Sequence, residues 1–189
     1  MEWARVYFGY YGADMNTKSW YVLTGGPCAG KTTTILEIEK RGYPFLREPA
    51  RVVIERGLAA GRTLDDIRSP KEEFLNEVVE EAIAQERIAS QAVTLFLDRS
   101  VADSIAYYRL LNVPLTKILD EAARGAIYKK VFLLDLVDFK NDEARNETPE
   151  EAQTIHEKIE KAYRDYSFEI VRVPIMPVVE RADFILKNL

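Results

Sequence analysis

The sequence predicts an α/β fold: a five-stranded parallel sheet with helices on both faces. Three features support it. Short apolar runs alternate along the chain with longer stretches at helical spacing. One run, "AVTLFLD" at 92–98, is apolar almost throughout, as expected of a central parallel strand covered on both faces. A glycine-rich turn, "GGPCAGKT" from Gly25 to Thr32, joins the first apolar run to the first helix.

Taken in order, "SWYVLT" (19–24) reads as a buried strand, and a helix follows over about 31–40. "GYPFLRE" (42–48) is the second strand. Pro44 removes a backbone donor there, which places this strand at an edge or starts it near that point. Pro49 opens a helix to about residue 60. In "PKEEFLNEVVEEAIAQERIAS" (70–90), Phe74, Leu75, Val78, Val79, Ala82 and Ile83 share one helical face. Strand 92–98 is followed by helices over about 101–111 and 116–123. "KVFLLDL" (130–136) is the fourth strand, and residues 138–149 form a polar loop without period. A helix over 150–166, a strand at 168–173 and a last helix over 177–187 complete the pattern. Residues 1–17 read as an N-terminal extension of unknown role, and 18–189 as a single domain.

The totals narrow the function. Net charge is −5, from 26 basic and 31 acidic residues, which opposes a nucleic-acid partner but not a nucleotide ligand. One cysteine, Cys28, leaves no internal disulfide and fits a reducing, cytoplasmic setting. No apolar run is long enough to cross a bilayer, and one Cys and one His cannot make a zinc site.

Gly25-x-x-x-x-Gly30-Lys31-Thr32 satisfies the P-loop (Walker A) pattern, and it sits between a strand and a helix as the physics requires. The loop of Gly25, Gly26, Pro27, Cys28, Ala29, Gly30 and the following residues to Thr33 is expected to cradle phosphate oxygens, with N–H donors from residues other than the proline. The helix N-terminus adds partial positive charge. Lys31 supplies a point charge for the β and γ phosphates, and the Thr32 hydroxyl is placed for Mg²⁺. The pattern does not choose ATP over GTP. Cys28 reads as a small tolerated residue, with a reactive thiol as the other reading.

Ligands of parallel sheets bind beyond the carboxyl ends of the strands, which directs attention to the next candidates. Asp98 ends the most apolar strand, where a Mg²⁺-linked carboxylate belongs; it could also cap the following helix. Arg99 can reach an acceptor or a moving phosphate, or pair with Asp103 one turn on, itself a candidate acceptor contact. Glu48 ends strand two, and a carboxylate there can accept a hydroxyl proton or bind a sugar hydroxyl. Arg51 can pair with Glu48 or with an anionic acceptor. The loop 138–149 is the lid candidate, with Lys140 and Arg145 as charges that could close on the phosphates and Asp142 as a weaker candidate. Asp135 is expected to be structural or to support a neighbouring site residue, and His156 to be structural.

"LTGGPCAGKTT", "EPARVVIERG", "LFLDRSVADSIAYY", "NDEARNETPEEAQTIHEKIEKAY" and "VERADFIL" occur in an order that resembles the NadR-type P-loop ATPase/kinase domain. That family lies near thymidylate and deoxynucleoside kinases, whose "DR" and "REP" signatures are similar. The resemblance covers roughly 18–189 by motif order. It implies a nucleoside- or nucleotide-kinase-like P-loop NTPase fold and Mg-ATP as donor. It also implies site roles for Lys31, Thr32, Glu48, Asp98, Arg99 and Arg145. "REPAR" lacks the glycines that follow "REP" in thymidylate kinases, which argues against thymidylate as acceptor.

The expectation is therefore a cytoplasmic, magnesium-dependent kinase that moves the γ-phosphoryl group of ATP to a small nucleoside-like or nucleotide-like acceptor. A regulatory ATPase or GTPase switch without an acceptor is the alternative, and a homodimer is left open.

Overall fold

The computed structural model describes residues 19–89, 94–137 and 148–189. Its strands are β1 (Ser19–Thr24), β2 (Phe45–Leu46), β3 (Thr94–Asp98), β4 (Lys130–Leu134) and β5 (Ile170–Val173). They form one five-stranded sheet in the order β2-β3-β1-β4-β5, with each neighbouring pair parallel. From β1 the chain builds one side of the sheet through β2 and β3, then the other through β4 and β5. The direction switches at β1, whose carboxyl end leads into the glycine-rich loop. Crevices that hold ligands open at such switch points.

The described helices are α1 (Lys31–Lys40), α2 (Pro49–Ala59), α3 (Leu64–Arg68), α4 (Lys71–Ile88), α5 (Val101–Leu110), α6 (Lys117–Gly125), α7 (Pro149–Asp165) and α8 (Val178–Lys187). Strand side chains alternate between faces, and the core divides accordingly. Trp20, Val22, Leu95, Leu97, Val131 and Leu133 pack with α4, α5, α6 and α7 on one face. Tyr21, Leu23, Phe96, Phe132, Leu134 and Val173 pack with α1 and α8 on the other. Both faces of β1 are thus dry, which explains its unbroken apolar run. No helix among the described residues is long and apolar enough to cross a membrane.

Two elements differ from expectation. β2 spans two residues instead of seven, because it lies at the sheet edge and pairs only with β3, beginning just after Pro44. The helix at 64–68 is not expected from the sequence pattern. There Thr63 accepts from the Asp66 N–H while the Asp66 carboxylate accepts from the Thr63 N–H, a reciprocal cap that starts α3.

Candidate active site

The loop after β1 turns sharply into α1. Gly30 precedes the helix at φ +73°, and a Cβ there would meet an Arg181 nitrogen at 2.5 Å. Gly30 has no side chain to cap the helix, and the first turn holds no acidic residue. The leading amides of α1 and its dipole are therefore directed at whatever anion approaches. Lys31 folds back over the loop, its ammonium donating to the carbonyls of Gly25 at 3.1 Å and Gly26 at 2.8 Å. Burial, then the nearby Arg99 charge, pulls the Lys31 pKa down to about 7 against the attraction of Asp98, Glu48 and Asp103. Ala29 is buried, Pro27 and Cys28 are half-buried, and Thr32 and Thr33 are exposed at the helix start.

β3 lies beside β1, with Leu23 opposite Asp98, so the Asp98 carboxylate is delivered next to the loop. Asp98 is 5% exposed, and its Oδ1 is buried without a hydrogen-bond partner. Burial, then the Glu48 carboxylate, raises its pKa to about 6. A buried carboxylate oxygen left bare in this way suits a cation ligand. With the Thr32 hydroxyl it lines a cleft of about 230 Å³ bounded also by Ile35, Leu36, Phe45, Arg47, Glu48 and Arg51. Hard oxygen donors of this kind fit Mg²⁺, which takes few protein ligands and completes its shell with phosphate and water.

Arg99 follows Asp98 in the left-handed region, at φ +68°. Such strain in a non-glycine residue persists only where its surroundings fix it. Here the guanidinium is held at both ends, with Nε donating to Glu48 Oε1 at 3.1 Å and Nη1 to Asp103 Oδ1 at 3.0 Å. The Tyr107 ring lies 5.6 Å from its centre. Burial opposes the Arg99 charge, but Tyr107, Asp103, Glu48 and Asp98 outweigh it and raise the pKa further. Burial would also lift Glu48, yet Arg99, Lys31 and Arg51 hold it below the usual carboxylate range. Arg51 reaches Glu48 at 3.8 Å.

Asp103 lies beneath the site rather than in it. Its Oδ1 accepts from Thr24 and Arg99, and its Oδ2 from the Ser100 N–H and the Tyr163 hydroxyl. These contacts use the carboxylate inside the fold: the pairing with Arg99 is one of the two sequence readings of Asp103, and the acceptor contact is the other. Arg145, with Lys140 and Asp142, lies outside the described residues. Asp135 pairs with Arg172 at 3.4 Å.

Sequence reasoning missed Arg181. It is 4% exposed on α8, and its Nη1 donates to the Ala29 carbonyl at 3.0 Å while its Nη2 donates to the Met176 carbonyl at 3.2 Å. It therefore supports the loop from below. The available signal was an arginine inside the apolar stretch "VERADFIL".

A parallel sheet in this order, with a phosphate loop at its switch point, defines the class: a P-loop NTPase fold of the nucleotide-kinase type. Residues 20–181 match the AAA domain family, and the chain belongs to it. No curated protein matches it in sequence. Among solved structures, it is similar to NadR protein in complex with NAD and AMP-PNP, at 15% identity and a TM-score of 0.64 over 92% of this chain. The chain spans 50% of that NadR chain. It is also similar to deoxyadenosine kinase from M. mycoides, at 18% identity and TM-score 0.62 over 89% of this chain and 97% of the other. Thymidylate kinase from Ehrlichia chaffeensis has 15% identity and TM-score 0.59 over 90% and 98%.

Proposed function

We propose that this protein is an ATP-dependent phosphotransferase that moves a γ-phosphoryl group to the hydroxyl of a nucleoside-like or nucleotide-like small molecule. The observation that carries this reading is the convergence of Glu48, Asp98 and Thr32 on one cleft beside the phosphate loop. The kinase fold of its neighbours supports it.

The loop from Gly25 to Thr33 binds the donor phosphates through amides other than that of Gly26, whose N–H is held by His156, and Lys31 leaves its carbonyl partners to meet them. Thr32 and Asp98 would hold Mg²⁺, which when bound neutralises charge developing on the phosphates. Glu48, ionised at neutral pH, orients the acceptor hydroxyl and takes its proton as the oxygen attacks. A new acceptor O–P bond forms, and the bond from the γ-phosphorus to the ADP oxygen breaks. Arg99 fixes the Glu48 rotamer and lends positive charge to the cleft, and Asp103 fixes Arg99. Arg51, half-exposed at the rim, is the group for an acceptor that already carries a phosphate. Arg145 belongs to this proposal as a phosphate-clamping residue of the 138–149 loop, and residues 18–189 as one domain.

The test is acceptor-dependent turnover. Protein with Mg-ATP or Mg-GTP is incubated with a panel of nucleosides and nucleotides, and ADP or GDP release is followed. A large rise with one acceptor supports the kinase. Nucleotide binding without any such rise favours a regulatory switch instead.

A further inference from the structure

Gly26, the second residue of the phosphate loop, is held from two directions. Its N–H donates to Nδ1 of His156 at 3.2 Å, across 130 residues of sequence, and its carbonyl accepts from Lys31 Nζ at 2.8 Å. His156 is 4% exposed on α7. The helix lies directly on the loop. A Cβ on Gly26 would meet the Ala152 carbonyl oxygen at 2.8 Å, a Leu136 methyl at 2.9 Å and the His156 Cβ at 3.1 Å. Only a glycine lets the helix approach this closely.

For Nδ1 to accept this bond, the imidazole must be neutral with its proton on Nε2. The surroundings favour that form. Burial, then the Arg172 charge, pulls the His156 pKa below its ordinary value, and Lys31 adds to this. Asp135 and Glu160 act in the opposite direction. These charged groups face His156 from β5, from α1, from the end of β4 and from α7 itself.

We propose that His156 is a positioning residue for the phosphate loop. Its neutral Nδ1 fixes Gly26 and, through Gly26, the resting place of Lys31, so that a proton added to His156 frees the loop and weakens nucleotide binding. The inference rests on the nucleotide-binding part of the function proposed above. A residue that merely packed α7 against the sheet would leave nucleotide affinity indifferent to its acceptor atom and to its protonation. Asparagine separates the two roles, because its Oδ1 can take the place of Nδ1 but cannot be protonated in this range.

The experiment measures Mg-ATP affinity by titration calorimetry for wild type, His156→Asn and His156→Ala, with Mg-GTP as a second probe and circular dichroism to verify folding. Near neutral pH, His156→Ala binds roughly tenfold more weakly, since a buried N–H has lost its acceptor, while His156→Asn stays within about threefold of wild type. As pH falls below the ordinary histidine value of about 6.5, wild type loses affinity relative to His156→Asn. The nucleotide phosphates, Asp98 and Lys31 titrate in both proteins and cancel in that ratio. Wild-type affinity in His156→Ala, or a ratio constant with pH, overturns the inference while leaving nucleotide binding intact. If His156→Ala does not fold, the pH dependence of the ratio decides alone. A wild type that binds neither nucleotide near neutral pH refutes the nucleotide-binding reading itself, and the inference falls with it.

Discussion

Arg99 Nε lies 3.1 Å from Glu48 Oε1, joining the end of β3 to the residue that opens α2, 51 positions earlier in the chain. In the function proposed above, the pair sets the direction of the carboxylate that acts on the acceptor. Glu48→Gln keeps the size of the side chain but removes the proton acceptor. Acceptor-dependent turnover is expected to fall by about 10²–10⁴-fold, the usual contribution of a positioned general base. Mg-ATP affinity in the same protein, measured by calorimetry, stays near wild type. Full turnover in Glu48→Gln would remove this residue from catalysis.

Asp98→Asn is expected to stabilise the metal-free protein while removing magnesium-dependent turnover. The folded pKa of about 6 lies above the ordinary 3.8, so the folded protein holds more protons through that interval. The stabilisation from a neutral Asp98 is therefore fully present below pH 3.8 and is lost as pH rises through about 6. At neutral pH, replacing the carboxylate restores roughly 2–3 kcal/mol, from two pKa units at 1.36 kcal/mol each. Urea unfolding of wild type and variant at several pH values tests this, and the difference should shrink in acid.

Lys31 gives a calorimetric signature. With its pKa near 7 in the free protein, most of it is neutral at about pH 8, whereas a bound triphosphate favours the ammonium form. Mg-ATP binding then takes up roughly one proton, visible as a binding enthalpy that changes with the ionisation heat of the buffer. In Lys31→Met the buffer dependence disappears along with most of the affinity.

The sequence made the frame of this site legible and left its supports hidden. The strand, turn and helix around Gly25–Thr32 are local, and each residue type there has one physical purpose, so the loop was readable without coordinates. That Asp98 and Glu48 line one cleft was legible because strand direction alone selects the ends beyond which ligands bind. The long-range partners of Asp103 and His156 were not legible, and Arg181 was missed altogether, for a common reason. Their partners lie 79, 130 and 152 residues away, and no period or spacing encodes a contact at that range. His156 looked structural, and Asp103 looked free to bind, because a helical face says which way a side chain points and nothing about what it meets.

Asp103→Ala tests the hidden support directly. The substitution strips partners from the Thr24 hydroxyl, the Arg99 guanidinium, the Ser100 N–H and the Tyr163 hydroxyl together. Removing one partner of a buried ion pair costs up to about 3–5 kcal/mol, less what the remaining Glu48 partner of Arg99 compensates, and the loss should appear in chemical denaturation as a lower midpoint with an unchanged slope. Asp103→Asn retains some of these bonds and should fall between the variant and wild type. A neutral Asp103→Ala would mean that water replaces the lost partners.

The Asp103 carboxylate also closes the cap at the start of α5, accepting the N–H of the cap residue Ser100. One side chain thus nucleates a helix and fastens β1, Arg99 and α7 to each other. The first turn of α5 cannot fray independently of the phosphate site, because each step of fraying also unties the site. Its amide protons are expected to exchange with deuterium more slowly than those of helix ends without such ties, which hydrogen exchange would show.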